Sequence, residues 1–573
     1  MATQREHPHP GPIKRSVLVM KPGEHRADNV WKTEESRDLK LRCITYPKSA
    51  KDDGERDPRV VQLLRASGFQ GAERVVQIKI DHGLITALVE RWRPETHSFH
   101  LPFGEVGITL QDVQVLLGLP IDGLPLTGPT AHSKTEWVQM CDDYLDFRPF
   151  EKDIISSNSI RNLAIQRFLL SPWSTDIEVI QHTKTLIWQL LSGLLFPSTS
   201  GRVSLYFLEL LHDNVENLTR WSWGSAVLAF LYHNLCEAAK ADTSSIGGCL
   251  ILLQLWAWER LPMVRPQRVL PLHAIFDLPY GARWACAHNW ADSSRFTLRI
   301  YRDQFDRLSE SEFEWTPYPL TSLPAFCTHA FDLWATKAPL IYCSYFEAYY
   351  PGRFCRQFGA VQDIPRSVTH NDRHHATRPE NNAEFITEWE QRWQTLYVFD
   401  LTRCGGFTDE YRGWFRYMGK THINNPSQDR PTTGFVPAHP HIAIASHGLG
   451  QVAREMIDRG DPRDCGMIER IRNCLRRIGA EEAMDHDIIT FEDVDEGHAS
   501  PDAHGQQTRP GYGLHDDDTS HDTPMEPPST VGSSYHAHEI SQHQQWPNFS
   551  WADIFGNDHL SGATGGAGTS SQY

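Results

Sequence analysis

Leu88-Val89-Glu90-Arg91-Trp92-Arg93-Pro94-Glu95-Thr96-His97-Ser98-Phe99-His100-Leu101-Pro102-Phe103-Gly104-Glu105 continues through Thr109-Leu110-Gln111-Asp112-Val113 to Leu116-Leu117-Gly118-Leu119-Pro120-Ile121-Asp122-Gly123, and this stretch decides the fold. Pro94, Pro102, Gly104, Gly118, Pro120 and Gly123 stand where helices end and the chain turns. Trp92, Phe99, Leu116 and Leu117 are core material between them. Thr109 to Asp112 has the capping-box form, in which a hydroxyl and a carboxylate three residues apart satisfy each other's backbone amides. Leu110, Val113, Leu116 and Leu117 then share one face, so a short helix is predicted that Gly118 closes. His97–Leu101 and Val106–Ile108 read as a hairpin.

The same punctuation extends in both directions. Asp57-Pro58 caps a helix that Gly68 ends, and Leu84, Ile85, Leu88, Val89 and Trp92 line a helix from Asp81. Helical periods recur over 175–191 and 221–240, and further helices are predicted at 297–308, 325–336, 383–396, 408–418 and 461–478. Ile246 to Arg260 is apolar nearly all round, which predicts a helix at the centre of the body. Leu340–Tyr345 reads as a buried strand. The predicted class is mainly α: one large helical domain over 56–425 with a minor strand component. Residues 1–55 are expected to be disordered, and 426–480 to be a linker plus a C-terminal helix.

Composition supports a sizeable core, because 40% of the 573 residues are apolar, with 18 Trp and 26 Phe. The formal charge of −17 is unevenly placed. From Glu481 to Tyr573 there are 17 acids against the single base Arg509, so 481–573 is expected to be an acidic disordered tail beside a near-neutral body. Eleven cysteines without a C-x-x-C pair suit reduced, mostly buried thiols. Met1 to Lys21 has no apolar run of signal-peptide type, and Ile246–Trp258 falls short of the roughly 20 residues of a span, so neither secretion nor membrane insertion is expected.

The strings that announce common chemistry are missing. There is no P-loop, no Gly-x-Ser-x-Gly elbow and no His-Glu-x-x-His, and Gly511-Tyr512-Gly513 does not sit between a strand and a helix. His374-His375 and His439, His441 and His447 lie in Pro- or Asn-rich loops without a carboxylate or thiol at ligand spacing, and read as solvated. His97 and His100 read as hydrogen-bonded within the fold. Asp112, Asp122, Glu209, Asp213, Glu237 and Glu259 are each assigned to wet helix faces. Arg91, Arg93, Arg260, Arg265 and Arg268 are expected to stack on Trp92, Trp256 and Trp258 in preference to contacting phosphate. No catalytic, cofactor-binding or metal-binding residue is assigned.

The opening stretch resembles the signature of the plant mobile domain, the family of MAIN-like proteins and related transposon-encoded chains, also labelled aminotransferase-like. Three later blocks match in order: Trp223-Gly224-Ser225-Ala226-Val227-Leu228-Ala229, Ile246-Gly247-Gly248-Cys249-Leu250 through Gln254-Leu255-Trp256-Ala257-Trp258-Glu259-Arg260, and Arg356-Gln357-Phe358-Gly359. The resemblance implies a nuclear protein of meristem maintenance, genome stability and transposon silencing, working with nuclear protein partners. It supplies no catalytic residue. Some relatives carry a fused serine/threonine phosphatase, but its Gly-Asp-x-His and Gly-Asn-His-Glu strings are missing here. Body lysines such as Lys79, Lys184 and Lys337 lack the phosphate-binding loop that a pyridoxal enzyme needs, and no cofactor is expected.

The expected function is therefore non-enzymatic, a protein-interaction scaffold or its transposon-encoded counterpart. The rival is a degenerate transposase-like nuclease using Mg-bound carboxylates, which requires three converging acids. DNA contact stays open, since a near-neutral body needs a local arginine patch to gain the phosphate term. In the tail, Trp546, Phe549, Trp551, Ile554 and Phe555 are the candidate partner-binding residues. Trp551, Ile554 and Phe555 fall at i, i+3 and i+4 and would share one face of a short helix.

Overall fold

A computed structural model describes residues 10–33, 39–41 and 56–424, except 129–131, 156–157, 162–169, 199–201, 267–268, 288–297, 366–381 and 400–404, together with 449, 452, 456, 467, 468 and 471. The chain divides into two units, Met1–Thr433 and Gly434–Tyr573. The first is mainly helical with a few short strands. In the second, the described positions of the expected linker and C-terminal helix have helical backbone, and the tail residues Trp546 to Phe555 lie outside the described residues.

Most helices start where their caps predict. Asp57 accepts from the Arg59 amide and Pro58 opens Pro58–Ala66, while Asp81 accepts from the Leu84 amide to open His82–Arg91. Thr109 and Asp112 form the full capping box of Leu110–Leu117, and Gly118 takes the left-handed C-cap with φ +70°. Trp92–Arg93, Ser98–Leu101 and Gly104–Val106 make a three-stranded antiparallel sheet in the register Trp92, Phe99, Val106.

The centre is Leu250–Arg260, with every residue buried as its all-round apolar surface predicts. Gln254, the polar break in that run, caps another element: its Oε1 accepts from the Asp81 amide at 2.7 Å and its Nε2 donates to the Lys79 carbonyl at 2.9 Å. Leu110–Leu117 and His82–Arg91 pack against this helix, and Trp223–Ala238 packs on Leu110–Leu117 in turn. Trp92, Trp223, Trp256 and Trp258 are fully buried. Each such ring removes about 150–250 Å² from water and contributes about 4–6 kcal/mol of apolar burial.

Several expectations are corrected. Within 1–55, Arg26–Thr33 is a helix whose Ala27 and Val30 are buried with Ile423. His25 donates from Nε2 to the Trp92 carbonyl at 2.9 Å, and Arg26 bonds the Ala238 carbonyl at the end of Trp223–Ala238. The helix predicted over 325–336 is two single 3₁₀ turns, Ala325–Cys327 and Phe331–Ala335. Leu340–Tyr345 is a tight hairpin of Leu340–Tyr342 with Tyr345–Glu347, turned by Cys343 at φ +52°. Lys134–Leu145, unassigned from sequence, is a helix with its own Ser133/Glu136 capping box. The described cysteines are free, and Cys141, Cys236, Cys249, Cys327 and Cys355 are buried. Among the described residues no helix is long and apolar enough to cross a membrane.

Candidate functional site

The charged residues of the signature point inward. Glu90, Arg91, Arg93, Glu105 and Asp112 are all buried. Arg302 grips Glu90 through two bonds of 2.6 Å, and Arg91 reaches Asp306 at 2.5 Å. Glu105 takes Arg353 at 2.6 Å and His100 at 3.3 Å. Burial alone would raise the Glu105 carboxyl, but the Arg353 guanidinium and His100 hold it below its ordinary value. Asp112 accepts from Arg260 at 2.8 Å, from the Tyr318 hydroxyl at 2.6 Å and from the Thr109 amide at 2.7 Å. Asp112 and Arg260 are both 0% exposed.

The later blocks close on the same stretch. Gln357 clamps Gly107, donating from Nε2 to its carbonyl and accepting from its amide, both at 2.8 Å. The Gly224 amide donates to the Pro120 carbonyl at 2.7 Å, and a Cβ there would sit 2.6 Å from Ile121 Cγ2. Trp223-Gly224-Ser225 is thus the seat of Pro120-Ile121, since the Ser222 hydroxyl also donates to the Ile121 carbonyl at 2.8 Å. These residue types hold segments distant in sequence against one another.

At Gly118 to Asp122 the signature reaches the surface and lines a cleft of about 320 Å³. The left-handed Gly68 and Gly118 form part of its wall; a Cβ on Gly118 would meet Pro279 Cγ at 2.6 Å. Pro120, Pro279 and Phe326 supply apolar faces, and Arg65, Gln70, Asp122 and His329 supply polar groups. His329 Nε2 lies 3.3 Å from Asp122 Oδ1, and its Nδ1 lies 3.1 Å from the Phe326 carbonyl oxygen. Gln114 Nε2 lies 3.1 Å from the same Nδ1, and the hydrogen bond to Asp122 raises the His329 pKa and lowers that of Asp122. Both ring nitrogens of His329 are thus engaged within the fold. Thr219, the hydroxyl in the cleft, donates to the Glu216 carbonyl at 3.1 Å. The arrangement is equipped to bind.

The wet-face assignment of six acids fails for two. Asp112 is sealed in the core, and Glu259 is 1% exposed, accepting from Trp284 Nε1 at 2.6 Å, with burial pushing its carboxyl up to about 7. Asp122 is half-buried, while Glu209, Asp213 and Glu237 pair with His132, Arg220 and Lys240. The arginine expectation is also corrected in its partners: Arg91 lies over Phe305 and Arg260 over Tyr318, each beside a carboxylate. Arg268 and His374, His375, His439, His441 and His447 lie outside the described residues. His97 bonds the Ala348 carbonyl through Nδ1 at 2.7 Å. The cleft residues Arg65, Gln70 and His329 were not legible in the sequence, because they come from three separate segments. Among the described residues no three His, Cys, Asp or Glu side chains form a metal-ligating group, the grouping that the nuclease alternative requires.

The Plant mobile domain family matches residues 68–416. The chain is 37% identical over 455 residues to the Serine/threonine-protein phosphatase 7 long form homolog of Arabidopsis thaliana, covering 74% of this chain and 33% of that protein. It is 31% identical to Protein MAIN-LIKE 1 of Arabidopsis thaliana, over 72% of this chain and 80% of the relative, and 30% identical to Protein MAINTENANCE OF MERISTEMS of the same plant, over 62% and 73%. The chain therefore spans a third of the phosphatase homolog and, by a further match, 62% of Protein MAIN-LIKE 2. No solved structure matches. The match across the body places this chain in the plant mobile domain family.

Proposed function

We propose that the protein is a non-enzymatic nuclear scaffold that acts through protein contacts in meristem maintenance, genome stability and transposon silencing, or is the transposon-encoded counterpart of such a protein. The observation that carries this reading is the inward orientation of the signature: its buried charges join segments distant in sequence, and only its end reaches a surface cleft. The name of the relative MAINTENANCE OF MERISTEMS supports the meristem role. The phosphatase homolog is covered over only 33% of its length, and the phosphatase metal-site strings are missing from this sequence.

The full chain, purified and offered nucleotides, phosphoesters, DNA and amino acids with Mg²⁺ or Mn²⁺, should turn over none of them, and a fluorescent fusion should accumulate in nuclei. Metal-dependent hydrolysis abolished by Asp122→Asn would overturn the reading. Deleting 481–573 should leave the melting temperature of the body nearly unchanged and remove at least one partner, as should Trp551→Ala alone. Unfolding of the body on deletion would make the tail structural.

A further inference from the structure

We propose that 10–33 and 417–424, which both lie outside the family match at 68–416, form one latch that opens when His25 and His100 take up a second ring proton. The two segments are fastened to each other. The Thr421 amide donates to the Pro10 carbonyl and the Ile13 amide to the Tyr417 carbonyl, both at 2.9 Å, and Ile423 packs with Ala27 and Val30. Each segment also hangs on a buried imidazole. His25 Nδ1 accepts from the Ala27 amide at 3.1 Å, and His100 Nδ1, on the signature strand Ser98–Leu101, accepts from the Lys420 amide at 3.1 Å. A main-chain N–H only donates, so both rings are neutral, with the proton on Nε2 facing the Trp92 carbonyl at 2.9 Å and Glu105 at 3.3 Å. Lys420 joins the two halves, because its amide serves His100 while its ammonium lies 3.3 Å from Asp28 in the helix Arg26–Thr33.

A second proton turns each Nδ1 into a donor facing a donor. At His25 it also sets a cation at the start of a helix, where the dipole disfavours one. The charged groups facing His25 are Arg93, Lys420 and Arg26, all cations. Those facing His100 are Glu105, Arg93 and Glu95, and Glu105 is already held by Arg353 at 2.6 Å. Burial lowers the pKa of both rings, so the stability that the neutral rings supply is present above about pH 6.5 and lost as pH falls. Opening bares the Trp92 carbonyl on an edge strand of the signature sheet.

Hydrogen exchange of the full chain at about pH 7 and about pH 5, corrected for the intrinsic rate, tests the latch. Protection at 10–33 and 417–424 should fall together by at least about tenfold, while Leu250–Arg260 holds its own. Asparagine keeps an acceptor in place of Nδ1 and does not titrate. His25→Asn should therefore reduce the response at 417–424 as well as at 10–33, His100→Asn should do the reverse, and the double variant should lose most of both. A response that each variant alters only in its own segment, a double variant that responds like the native chain, or a fall shared equally by Leu250–Arg260 would overturn the proposal. Should an Asn variant fail to fold, Lys420→Met carries the test: it should change protection at both segments together near pH 7, and a change confined to one of them would overturn the latch.

Discussion

Asp112 and Asp122 lie on one stretch of chain and each faces a nitrogen donor, yet one is in the interior and the other at the surface. Asp112 is sealed with Arg260 and Tyr318, and its second oxygen caps a helix. Asp122 meets His329 at the mouth of a cleft, with both side chains more than a third exposed. In the interior an ion pair raises the penalty for separating two segments, because either charge left alone is stranded. At the surface the same pairing contributes little to stability. The signature therefore specifies a fold over most of its length and offers a surface only at its end.

The largest test of the interior side is Glu90→Ala, which strands the buried Arg302 guanidinium. Chemical unfolding should show a loss of about 3–5 kcal/mol, and a loss below 1 kcal/mol would mean that the pair is solvated.

Glu259 gives a pH-dependent test. Its carboxyl is raised by burial from 4.5 to about 7, so the fold favours the neutral form. The stability this supplies is fully present below about pH 4.5 and lost as pH rises through about 7. Glu259→Gln keeps an acceptor for Trp284, and should flatten the fall between pH 5 and 8 and stabilise the chain at pH 8 by roughly 2–3 kcal/mol. An unchanged slope would contradict this.

His25 runs the other way. Its Nδ1 accepts from the Ala27 amide at 3.1 Å, a role only the neutral ring fills, and burial followed by the charge of Arg93 lowers its pKa well below the ordinary value. Lys420 and Arg26 act in the same sense. The stability it contributes is present above the ordinary histidine value of about 6.5 and lost as pH falls. Protection from hydrogen exchange at 25–33, corrected for the intrinsic rate that itself slows as pH falls, should therefore drop between pH 7 and 5 more than in the body, and an equal drop would count against this role.

These predictions rest on pairings that local reading does not reach. The Thr109/Asp112 box and the Asp57-Pro58 start were legible because their partners lie within one helical turn. So was the buried helix ending at Arg260, although Gly248, at φ +85°, delays its start to Leu250. Ser133/Glu136 was equally local and went unassigned. The 325–336 segment was overread as a helix, since its apolar residues serve two separate turns. Burial of Asp112 was illegible because Arg260 stands 148 residues away. The cleft was illegible for the same reason: Arg65, Asp122 and His329 meet only after folding.

The smallest expected effect belongs to the surface pair. Asp122→Asn should change stability by less than about 1 kcal/mol, measured by the same unfolding transitions, and a larger loss would make the cleft mouth structural.

The central claim, that the signature charges hold the fold, is tested most directly by a double-mutant cycle of Asp112→Asn and Arg260→Met. Each single variant should lose about 3–5 kcal/mol in chemical unfolding, and the double variant should lose no more than the worse single one. Two small and additive losses would contradict the claim and return Asp112 to the list of candidates for chemistry.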